Sequence, residues 1–552
     1  MKSFSKLIKE KYITNLSDIY NIVKEDETLQ GEPGKSQVDN PNSNNELDIK
    51  IEQPKEGEAE DIKYFFKNIL FFTNERDSKK NKTLKNLEEA VKGKDIKIIT
   101  FVSDEVNYKA TDEKIDIEDD KTKYTIDHQS NIDTIVIVRL GAQDSEECME
   151  CIKEIQDWGL FVLNPIQSAK RASNKYQASV LMERYDIPQP KFTLVCKNDI
   201  KNGMDSLNKR LKTIYKDIDS DDADKYEYVV KILDGHGGTG VFMETGKSIL
   251  AALQAMFAVK EDLELLVQKK EEADGGDIRV HVLTMRTEQK ILAAMKRKKL
   301  GKDFRSNVSL GAQAEPVELT KEQEEIALKV AKISGVPWCA VDIMPLVEGS
   351  NEDFKDVGYN VVLEYNSSPG TEGISEVIGE NFMKILLDNI NNINELVLAP
   401  KSIGYLENIV FTMENEEEIE FEAKLDTGNG AHASTIGCES VDENGDDITA
   451  TIDGKEYYFK RSDVTSTAIV GQTKETRVVV KIPCIQIGTR KLLDADFALV
   501  DNRNKKQKVL LNRDLMSKLA YIINPSKKHL LEDEFSELRV VDKTKKKNKD
   551  KK

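Results

Sequence analysis

The stretch Val362-Leu-Glu-Tyr-Asn-Ser-Ser-Pro-Gly-Thr-Glu-Gly373 joins an apolar strand pattern to a Pro-Gly turn, and it decides how the fold of this chain is interpreted. Glu364 and Asn366 are two positions apart, so in a strand they lie on one face and can reach one point. Their carboxylate and amide oxygens suit a hard cation such as Mg²⁺. Upstream, Ala340-Val-Asp-Ile-Met344 predicts a second strand that carries one acid, Asp342. These three residues predict a metal site on a pair of strands.

The bulk composition predicts a soluble protein of several domains. The chain has 552 residues, of which 39% are hydrophobic and 33% charged, and its mean hydropathy is −0.51. This length predicts roughly two to four domains. The net charge of −18 argues against broad nucleic-acid binding. No apolar run approaches the roughly 20 residues of a membrane span, and the first residues lack a signal-peptide pattern. Six scattered cysteines indicate a reducing compartment, so the predicted location is cytoplasmic.

Composition and periodicity divide the chain into five predicted regions. Residues 1–62 combine an amphipathic helix with an acidic linker of disordered composition. Residues 63–165 alternate strands with helices, which predicts a small parallel α/β domain. Residues 166–400 hold the chemical motifs, residues 401–535 predict a mainly β domain, and residues 536–552 form a basic disordered tail. The predicted elements are strands 68–73, 96–102, 133–139 and 161–163 with helices 83–92 and 145–158 in the α/β domain, and strands 418–425, 455–460, 477–482 and 497–501 in the β domain.

A glycine-rich loop between two predicted strands suits phosphate binding. Strand Tyr228–Leu233 contains Lys231 and runs into Asp234-Gly-His-Gly-Gly-Thr-Gly240, followed by strand Val241–Met243. Glycines allow backbone amides to approach phosphates closely, and Lys231 can place a positive charge on them. The loop is not a Walker A motif, because the GK[ST] ending and the following helix are absent. Glycine content alone fits a flexible hairpin turn equally well. The glycines concerned are Gly235, Gly237, Gly238 and Gly240.

The segments that follow the glycine-rich loop are basic, although the chain as a whole is acidic. Strand Leu265–Gln268 leads to Lys269 and Lys270, and a further strand places Asp277 and Arg279 on one face. Basic residues recur at Lys296–Lys299 and again within Asp303–Asn307. A basic region in an acidic chain suits a polyanion such as ATP, whereas for Lys298 and Lys299 a solvated basic loop is the preferred interpretation.

The order of these motifs resembles the ATP-grasp superfamily and, within it, the RimK-type glutamate ligases. The matching pieces are colinear over roughly 210 residues, so the joint signal is strong although each motif alone is weak. They are Ser173-Asn-Lys175, Ile187-Pro-Gln-Pro190, Val229–Val241, Leu266-Val-Gln268, Asp277-Ile-Arg279, Asp303-Phe-Arg-Ser-Asn307, Val341-Asp-Ile343 and Glu364–Ile374.

The resemblance implies an ATP-grasp fold and an ATP-dependent carboxylate–amine ligase, with glutamate as a candidate for the amino acid added to a peptide or small acceptor. It implies ATP and two Mg²⁺ ions, with Mn²⁺ as a substitute, held by Asp342, Glu364 and Asn366. Arg279 and Arg297 would stabilise the reacting phosphate and carboxylate. The family usually has Asp where this chain has Asn174, and an acidic–aromatic pair at the hinge whose backbone meets adenine. The implied nucleotide contacts are Lys175, Lys231, Gly235, Gly237, Gly238, Gly240, Lys269, Lys270, Asp277, Arg305 and Asn307.

The chemistry of such a ligase requires no nucleophilic side chain. A carboxylate is a poor acyl donor because its leaving group would be oxide. Phosphorylation by ATP gives an acyl phosphate with a good leaving group, which an amine then attacks. The site therefore needs divalent cations, lysines and arginines to offset negative charge, together with positioning and exclusion of water.

The C-terminal region carries a second resemblance. Asp426-Thr-Gly428 follows a strand and Val509–Asp514 comes later, which resembles retropepsin-like folds, most closely the RimK-associated putative ATP-dependent zinc protease domain, over roughly residues 401–530. An aspartic protease needs two carboxylates, so Asp426 would require a symmetric dimer. Asn512 and Asn429 stand where Gly and Ala are expected, and His432 alone makes no zinc site. A binding or assembly role is therefore preferred to proteolysis.

Two alternatives to the ligase remain at this point. One is a retropepsin-like peptidase that is regulated by ATP binding and uses Asp426 in a homo-oligomer. The other is a non-catalytic nucleotide-binding scaffold, which the unusual hinge at Lys269 and Lys270 and the long terminal segments keep open. The expected partners of the ligase are a carboxylate donor and an amine acceptor.

Overall fold

The fold is taken from a computed structural model that describes residues 64–111, 114–127, 133–140, 145–215, 225–235, 240–298, 313–398, 400–427, 433–470, 473–501 and 507–531. The predicted helix and linker of residues 1–62 and the predicted tail 536–552 lie outside the described residues. So do Gly237, Gly238, Arg305, Asn307, Asn429 and His432. The chain divides into two compact units, one containing Pro190–Glu272 and the other containing Phe65–Gln189 together with the chain from Ala273 onward.

The residues after Tyr64 form the predicted parallel sheet. Its strands lie in the order β2-β1-β6-β7, and β1 is buried along almost its whole length, as expected when helices cover a parallel sheet. The structure adds an antiparallel sheet, β3-β4-β5, that the sequence analysis missed. The elements are β1 Asn68–Thr73, α1 Lys82–Ala90, β2 Lys97–Val102, β3 Asn107–Ala110, β4 Lys114–Glu118, β5 Lys123–Asp127, β6 Thr134–Arg139, α2 Glu146–Asp157 and β7 Phe161–Leu163.

Two helices follow this sheet, α3 Ile166–Ser173 and α4 Lys175–Arg184. Asn174 separates them and caps α4, since its side chain accepts a hydrogen bond of 2.9 Å from the Gln177 amide. Asn and Asp are similarly good N-cap residues, so Asn174 in place of the Asp that is usual in the family preserves the start of α4.

The unit Pro190–Glu272 is an antiparallel sheet with strand order β10-β9-β11-β8. Its apolar core includes Val230, Leu253 and Phe257. The hairpin β9–β10 is the predicted strand–loop–strand, with Lys231 paired to Val241. Gly240 has a φ of +70°, and an added Cβ would lie 2.5 Å from Ile232 Cδ1, so this position requires glycine. The elements are β8 Phe192–Cys196, α5 Met204–Leu211, β9 Glu227–Ile232, β10 Val241–Thr245, α6 Ile249–Val259 and β11 Glu264–Lys269.

The second sheet of the larger unit has five antiparallel strands in the order β14-β13-β12-β15-β16. Its apolar face packs on α7, which begins with a capping box between Thr320 and Gln323 and ends at Gly335 with a φ of +67°. The opposite face carries the charged residues of the motifs. The elements are β12 Gly276–Thr284, β13 Gln289–Lys298, β14 Gln313–Pro316, α7 Lys321–Ser334, β15 Trp338–Pro345, β16 Asn360–Asn366, α8 Glu372–Ile378 and α9 Phe382–Asn389.

The C-terminal region is mainly β, as predicted. Strands β18-β19-β28-β20-β27-β26 pair in sequence, and a further pairing of β18 with β26 closes them into a barrel. Predicted strand 477–482 overlaps the start of the longer strand β26, and predicted strand 497–501 is the end of β27. The elements are β17 Lys401–Gly404, β18 Leu406–Thr412, β19 Glu418–Leu425, β20 Ser434–Cys438, β21 Ser440–Asn444, β22 Asp447–Ile452, β23 Lys455–Arg461, β24 Ser466–Val470, β25 Thr473–Arg477, β26 Val479–Ile487, β27 Arg490–Asp501, β28 Val509–Leu511, α10 Arg513–Lys518 and β29 Tyr521–Asn524.

Two further observations bear on the composition-based predictions. All six cysteines are free, with no disulfide among them. Within the described ranges, no helix is both long enough and apolar enough to cross a membrane.

Candidate active site

The opening motif lies on β16, where its pairing with β15 sets the position of each side chain. A β-bulge between Asp342 and Ile343 places Asp342 opposite Glu364 and Ala340 opposite Asn366. Glu364 and Asn366 are both half-buried, and Asn366 Nδ2 lies 3.4 Å from Glu364 Oε1. The predicted strand pair is therefore confirmed, and the three predicted metal ligands share one face of the sheet.

A buried row of alternating charges crosses the same face. Arg297 on β13 donates to both oxygens of Asp277 on β12, at 2.6 and 2.7 Å. Arg279 donates to both oxygens of Asp342, each at 2.7 Å. Arg297 Nη2 also lies 2.9 Å from Asp342 Oδ2 and joins the two pairs. Bidentate Arg–carboxylate pairs fix geometry as well as charge, so the four side chains hold one another in place.

Burial and pairing set the charges of this row. Arg297 and Asp342 are each 2% exposed. Burial alone would raise the pKa of Asp342, but Arg279 and then Arg297 lower it to about 2. Burial alone would lower the pKa of Arg297, but Asp342 and Asp277 raise it. Arg297 and Asp342 are therefore both ionised at neutral pH.

The donor set at Glu364 suits a divalent cation. Mg²⁺ in nucleotide sites is typically held by one or two carboxylates together with phosphate oxygens. Glu364 supplies a carboxylate outside the arginine pairs, Asn366 supplies an amide oxygen beside it, and Asp342 lies opposite Glu364. Among the described residues, no group of three His, Cys, Asp or Glu side chains forms a metal cluster, so a cation here would depend on phosphate oxygens for further ligands.

The predicted phosphate-binding residues occupy two structural settings. Lys231 is 9% exposed in β9, and the Ile232 amide donates to the Gly240 carbonyl at 2.9 Å, which closes the base of the glycine loop. Gly235 lies at the other end of that loop and is half-buried. Lys175, in the larger unit, is the first residue of α4, where unpaired amides and the helix dipole favour anions.

The predicted hinge residues Lys269 and Lys270 end β11 and follow it. The Lys269 amide donates to the Lys191 carbonyl at 2.8 Å, and the Lys270 amide donates to the Glu227 carbonyl at 3.1 Å. Lys269 Nζ lies 3.3 Å from Glu271, and Lys270 Nζ lies 2.7 Å from Glu227. Both amide hydrogens are thus used within the sheet, so a nucleotide base at this hinge would be held by other backbone groups.

The structure places Asp277 and Asp426 in two different sheets, and the sequence alone did not show the neighbours of either residue. Asp277, predicted to bind near the ribose, is 4% exposed and is held by Arg297. Asp426 follows β19 in the C-terminal barrel, where its amide donates to the Leu511 carbonyl at 3.0 Å. It does not belong to the sheet that carries Glu364.

The sequence analysis missed three residues of this face and its surroundings, namely Arg139, His281 and Trp338. The sequence did contain a pattern that could have indicated Arg139 and His281. Arg139 is the charged end of an apolar parallel strand, and His281 continues the alternation of Asp277 and Arg279.

Known proteins match the part of the chain that carries this face. A family model described as a RimK-like ATP-grasp domain matches residues 172–390. The chain is 31% identical over 256 residues to proteins called probable alpha-L-glutamate ligase from Vibrio atlanticus and from Teredinibacter turnerae. Each alignment covers 46% of this chain and 75% of the relative.

Solved structures are similar at lower identity. D-alanyl-alanine synthetase A from Vibrio cholerae O1 biovar eltor is 15% identical with a TM-score of 0.42, covering 60% of this chain and 99% of that one. D-alanine–D-alanine ligase from Bacillus anthracis, complexed with ATP, is 15% identical with a TM-score of 0.38, covering 59% and 97%.

The sequence matches define an ATP-dependent carboxylate–amine ligase that uses ATP and a divalent metal ion. Within that class, the chain belongs to the RimK-like ATP-grasp family.

Proposed function

We propose that this ligase joins the amine of an amino acid, with glutamate as the first candidate, to the carboxylate of a peptide or small acceptor through an acyl phosphate. The supporting observation is the single sheet face that bears Glu364 and Asn366 beside Asp342 and two arginines. Relatives at 31% identity that carry the name alpha-L-glutamate ligase support the choice of amino acid.

The residues of this face would have two roles, stabilisation of the reacting groups by positive charge and binding of the metal ions. Arg279 and Arg297 would direct positive charge toward the phosphoryl group and the acyl oxygen, while Asp277 and Asp342 hold both guanidinium groups in fixed orientations. Preorganised charge of this kind stabilises a transition state without rearrangement during the reaction. Glu364, Asn366 and Asp342 would hold up to two Mg²⁺ ions, which when bound neutralise phosphate charge and position the γ-phosphoryl group.

The predicted nucleotide contacts keep the roles that the resemblance implies. Lys231, Gly235, Gly237, Gly238 and Gly240 would bind phosphates, and so would Lys175 at the start of α4. Arg305 and Asn307 would contact the nucleotide, and Asp277 would lie near its ribose. Lys269 and Lys270 would border the adenine. We propose that the ATP-grasp domain spans residues 166–400, preceded by a domain at 63–165 and followed by one at 401–535.

Ligation with a matched lysine variant tests this proposal. Wild-type protein, Mg-ATP, L-glutamate and a panel of acceptor peptides should release ADP and phosphate together with a mass increase of one glutamyl residue. Lys231→Met should weaken Mg-ADP binding by about tenfold or more, since it removes a charged phosphate contact. Calorimetry measures the binding, and mass spectrometry measures the product.

Lys260→Met is the control, because Lys260 is exposed in the same compact unit and has no predicted role. It should bind Mg-ADP like the wild type. Equal Mg-ADP affinities for Lys231→Met and wild type would contradict the phosphate role of Lys231. Mg-ATP binding without any amide product across the panel would favour the scaffold alternative.

For the C-terminal barrel we propose a retropepsin-like fold with a binding or assembly role. Its support is the local topology, since β19 runs parallel to β28 and delivers Asp426 next to the strand that ends before Asn512. Asn512 is engaged structurally, because its Oδ1 accepts from Ser434 Oγ at 3.1 Å and from the Leu515 amide at 2.9 Å, which caps α10.

A peptide-cleavage assay separates this role from proteolysis. Wild-type protein and Asp426→Asn should both leave a diverse peptide library intact, with and without ATP, while both retain ligase activity. Cleavage by the wild type that disappears in Asp426→Asn would contradict the binding role and favour the peptidase. Sedimentation measured in parallel shows whether a dimer that could pair two Asp426 side chains forms.

A further inference from the structure

Three side chains of the larger unit carry buried polar atoms for which the described part of the chain supplies no hydrogen-bond partner. Arg139 Nη1, both ring nitrogens of His281 and Trp338 Nε1 are buried, and none has a partner among the described residues. His281 is fully buried and Trp338 is 1% exposed. A buried donor or acceptor without a partner costs roughly 1–3 kcal/mol, so such groups are uncommon unless something else satisfies them.

These groups lie together. The Arg139 guanidinium carbon is 5.4 Å from the centroid of the Trp338 ring. The Phe382 ring lies 6.0 Å from the Trp338 ring and 4.6 Å from the His281 ring. Arg139 thus lies over an aromatic ring, which suits a cation, and within the described ranges of the chain it forms no ion pair with a carboxylate.

The cluster continues the face that carries the metal ligands. His281 is the next residue after Arg279 on that side of β12, and it lies opposite Ala340, which in turn lies opposite Asn366. Trp338 precedes Ala340 on the same side of β15. Ala340, with its short side chain, therefore lies between His281 and Asn366 on this face.

Arg139 reaches this face from the parallel sheet. It is the last residue of β6, and the carboxyl ends of parallel strands are where α/β sheets commonly bind ligands. Asn164, which follows β7, fixes the two sheets together. Its Nδ2 donates to the Trp338 carbonyl at 2.7 Å and to the Ser367 carbonyl at 2.5 Å, and its Oδ1 accepts from the Trp338 amide at 2.8 Å.

The charges of the face identify the missing partner. Asp277 and Asp342 already balance Arg297 and Arg279, which leaves Arg139 as an additional cation. Burial lowers the pKa of Arg139 to about 10, so it remains charged at neutral pH. Burial and then Arg279 lower the pKa of His281 to about 3, so its ring is neutral and offers one donor and one acceptor.

We propose that Arg139, with His281 and the Trp338 indole, forms a subsite for a carboxylate of the substrate. A guanidinium fork matches a carboxylate, and the aromatic walls shield the pair from water. The inference rests on the proposed function and deepens it, because His281 shares a sheet face with Glu364 and Asn366 and is separated from Asn366 by Ala340 alone. The carboxylate comes from the free amino acid or from the C-terminus of the acceptor peptide.

Calorimetry on the full-length protein tests the subsite. One arm titrates L-glutamate, and the other titrates a peptide with a free C-terminal carboxylate beside the same peptide with an amidated C-terminus. Each arm is run with and without saturating Mg-ADP. Arg139→Gln should weaken the binding in one arm by about tenfold or more, since it removes a charge-assisted bidentate contact. In the peptide arm, the amidated form should bind wild type as weakly as the free form binds Arg139→Gln.

Matched variants test whether the loss of binding is specific to the Arg139 side chain. Arg184→Gln removes the same charge from an exposed position at the end of α4 and should bind both ligands like wild type. Arg139→Lys should retain part of the affinity, which a purely structural role would not predict. Unchanged affinity of Arg139→Gln in both arms would overturn the subsite, as would wild type that binds neither ligand. Failure of wild type to bind Mg-ADP would contradict the proposed function separately, because the titrations without nucleotide report on Arg139 alone.

Discussion

Glu364→Gln should lower the rate of amide formation by roughly a thousandfold or more, which is a loss of about 4 kcal/mol of transition-state stabilisation. The neutral amide retains the size of the side chain but removes the carboxylate that we propose holds the divalent cation. Metal-ion stabilisation of phosphoryl charge is worth several kcal/mol. The other two described aspartates of this face, Asp277 and Asp342, are both paired with arginines. The measurement is ADP release coupled to product mass at saturating ATP.

Folding should be unaffected in this variant, because Glu364 is half-buried and, among the residues that the structure describes, its side chain accepts only a long hydrogen bond of 3.4 Å from Asn366. The concentration of Mg²⁺ needed for half-maximal ATP binding should rise, whereas a change in the acceptor site alone would leave it constant. Glu324→Gln, an exposed glutamate on α7, serves as the control and should keep full activity. Wild-type rates for Glu364→Gln would exclude the metal role.

The sequence predicted the parts of this site that depend on strand periodicity. Glu364 and Asn366 share a face because side chains alternate along a strand, and the same rule placed Asp277 beside Arg279. The hairpin around Lys231 followed from the glycine loop between two apolar runs. These inferences needed local geometry alone, together with a motif order that resembles one family.

Other parts depend on long-range pairing that a sequence does not display. Asp342 faces Glu364 because of a β-bulge that leaves Leu363 of β16 without an opposite residue, and nothing in the segment Val362–Glu364 marks that irregularity. Lys296–Lys299 is a basic run, yet pairing of β13 with β12 buries Arg297 and leaves Lys298 exposed beside Glu315. The neighbourhood of Arg139 is set by a residue of another sheet, Trp338.

The contacts that attach the C-terminal barrel could also not be predicted from local sequence patterns. Arg490 is 1% exposed and donates to the carbonyls of Leu519 and Ala520 at 2.5 and 3.2 Å. Its side chain lies against Gly159, where an added Cβ would be 2.6 Å from Arg490 Cγ. Such a contact joins residues far apart in the chain, so periodicity predicts the strand that bears Arg490 and not the surface it meets.

Arg297→Gln should reduce the free energy of unfolding of the larger unit by about 3–5 kcal/mol, the cost of breaking a buried ion pair by removing one partner. Asp277, which is 4% exposed, would lose its bidentate partner, and Asp342 would lose one of its two. The chain has two tryptophans, so Trp158→Phe leaves Trp338, on β15 of the same sheet, as the fluorescent reporter. Urea unfolding of the variant in that background measures the loss.

A second substitution tests whether the loss comes from unbalanced charge. Arg297→Gln combined with Asp277→Asn should recover part of the stability. The second substitution removes the buried carboxylate that Arg297→Gln alone leaves without its partner. The exposed pair Lys321–Glu325, with 3.7 Å between its charged atoms, is the control, and Lys321→Gln should cost less than about 1 kcal/mol. The depressed pKa of Asp342 adds a pH dependence, since its stabilising contribution is complete above its ordinary pKa of 3.8 and is lost as the pH falls toward 2. A loss for Arg297→Gln no larger than the control, with no recovery in the double variant, would show that the row of charges does not hold this sheet together.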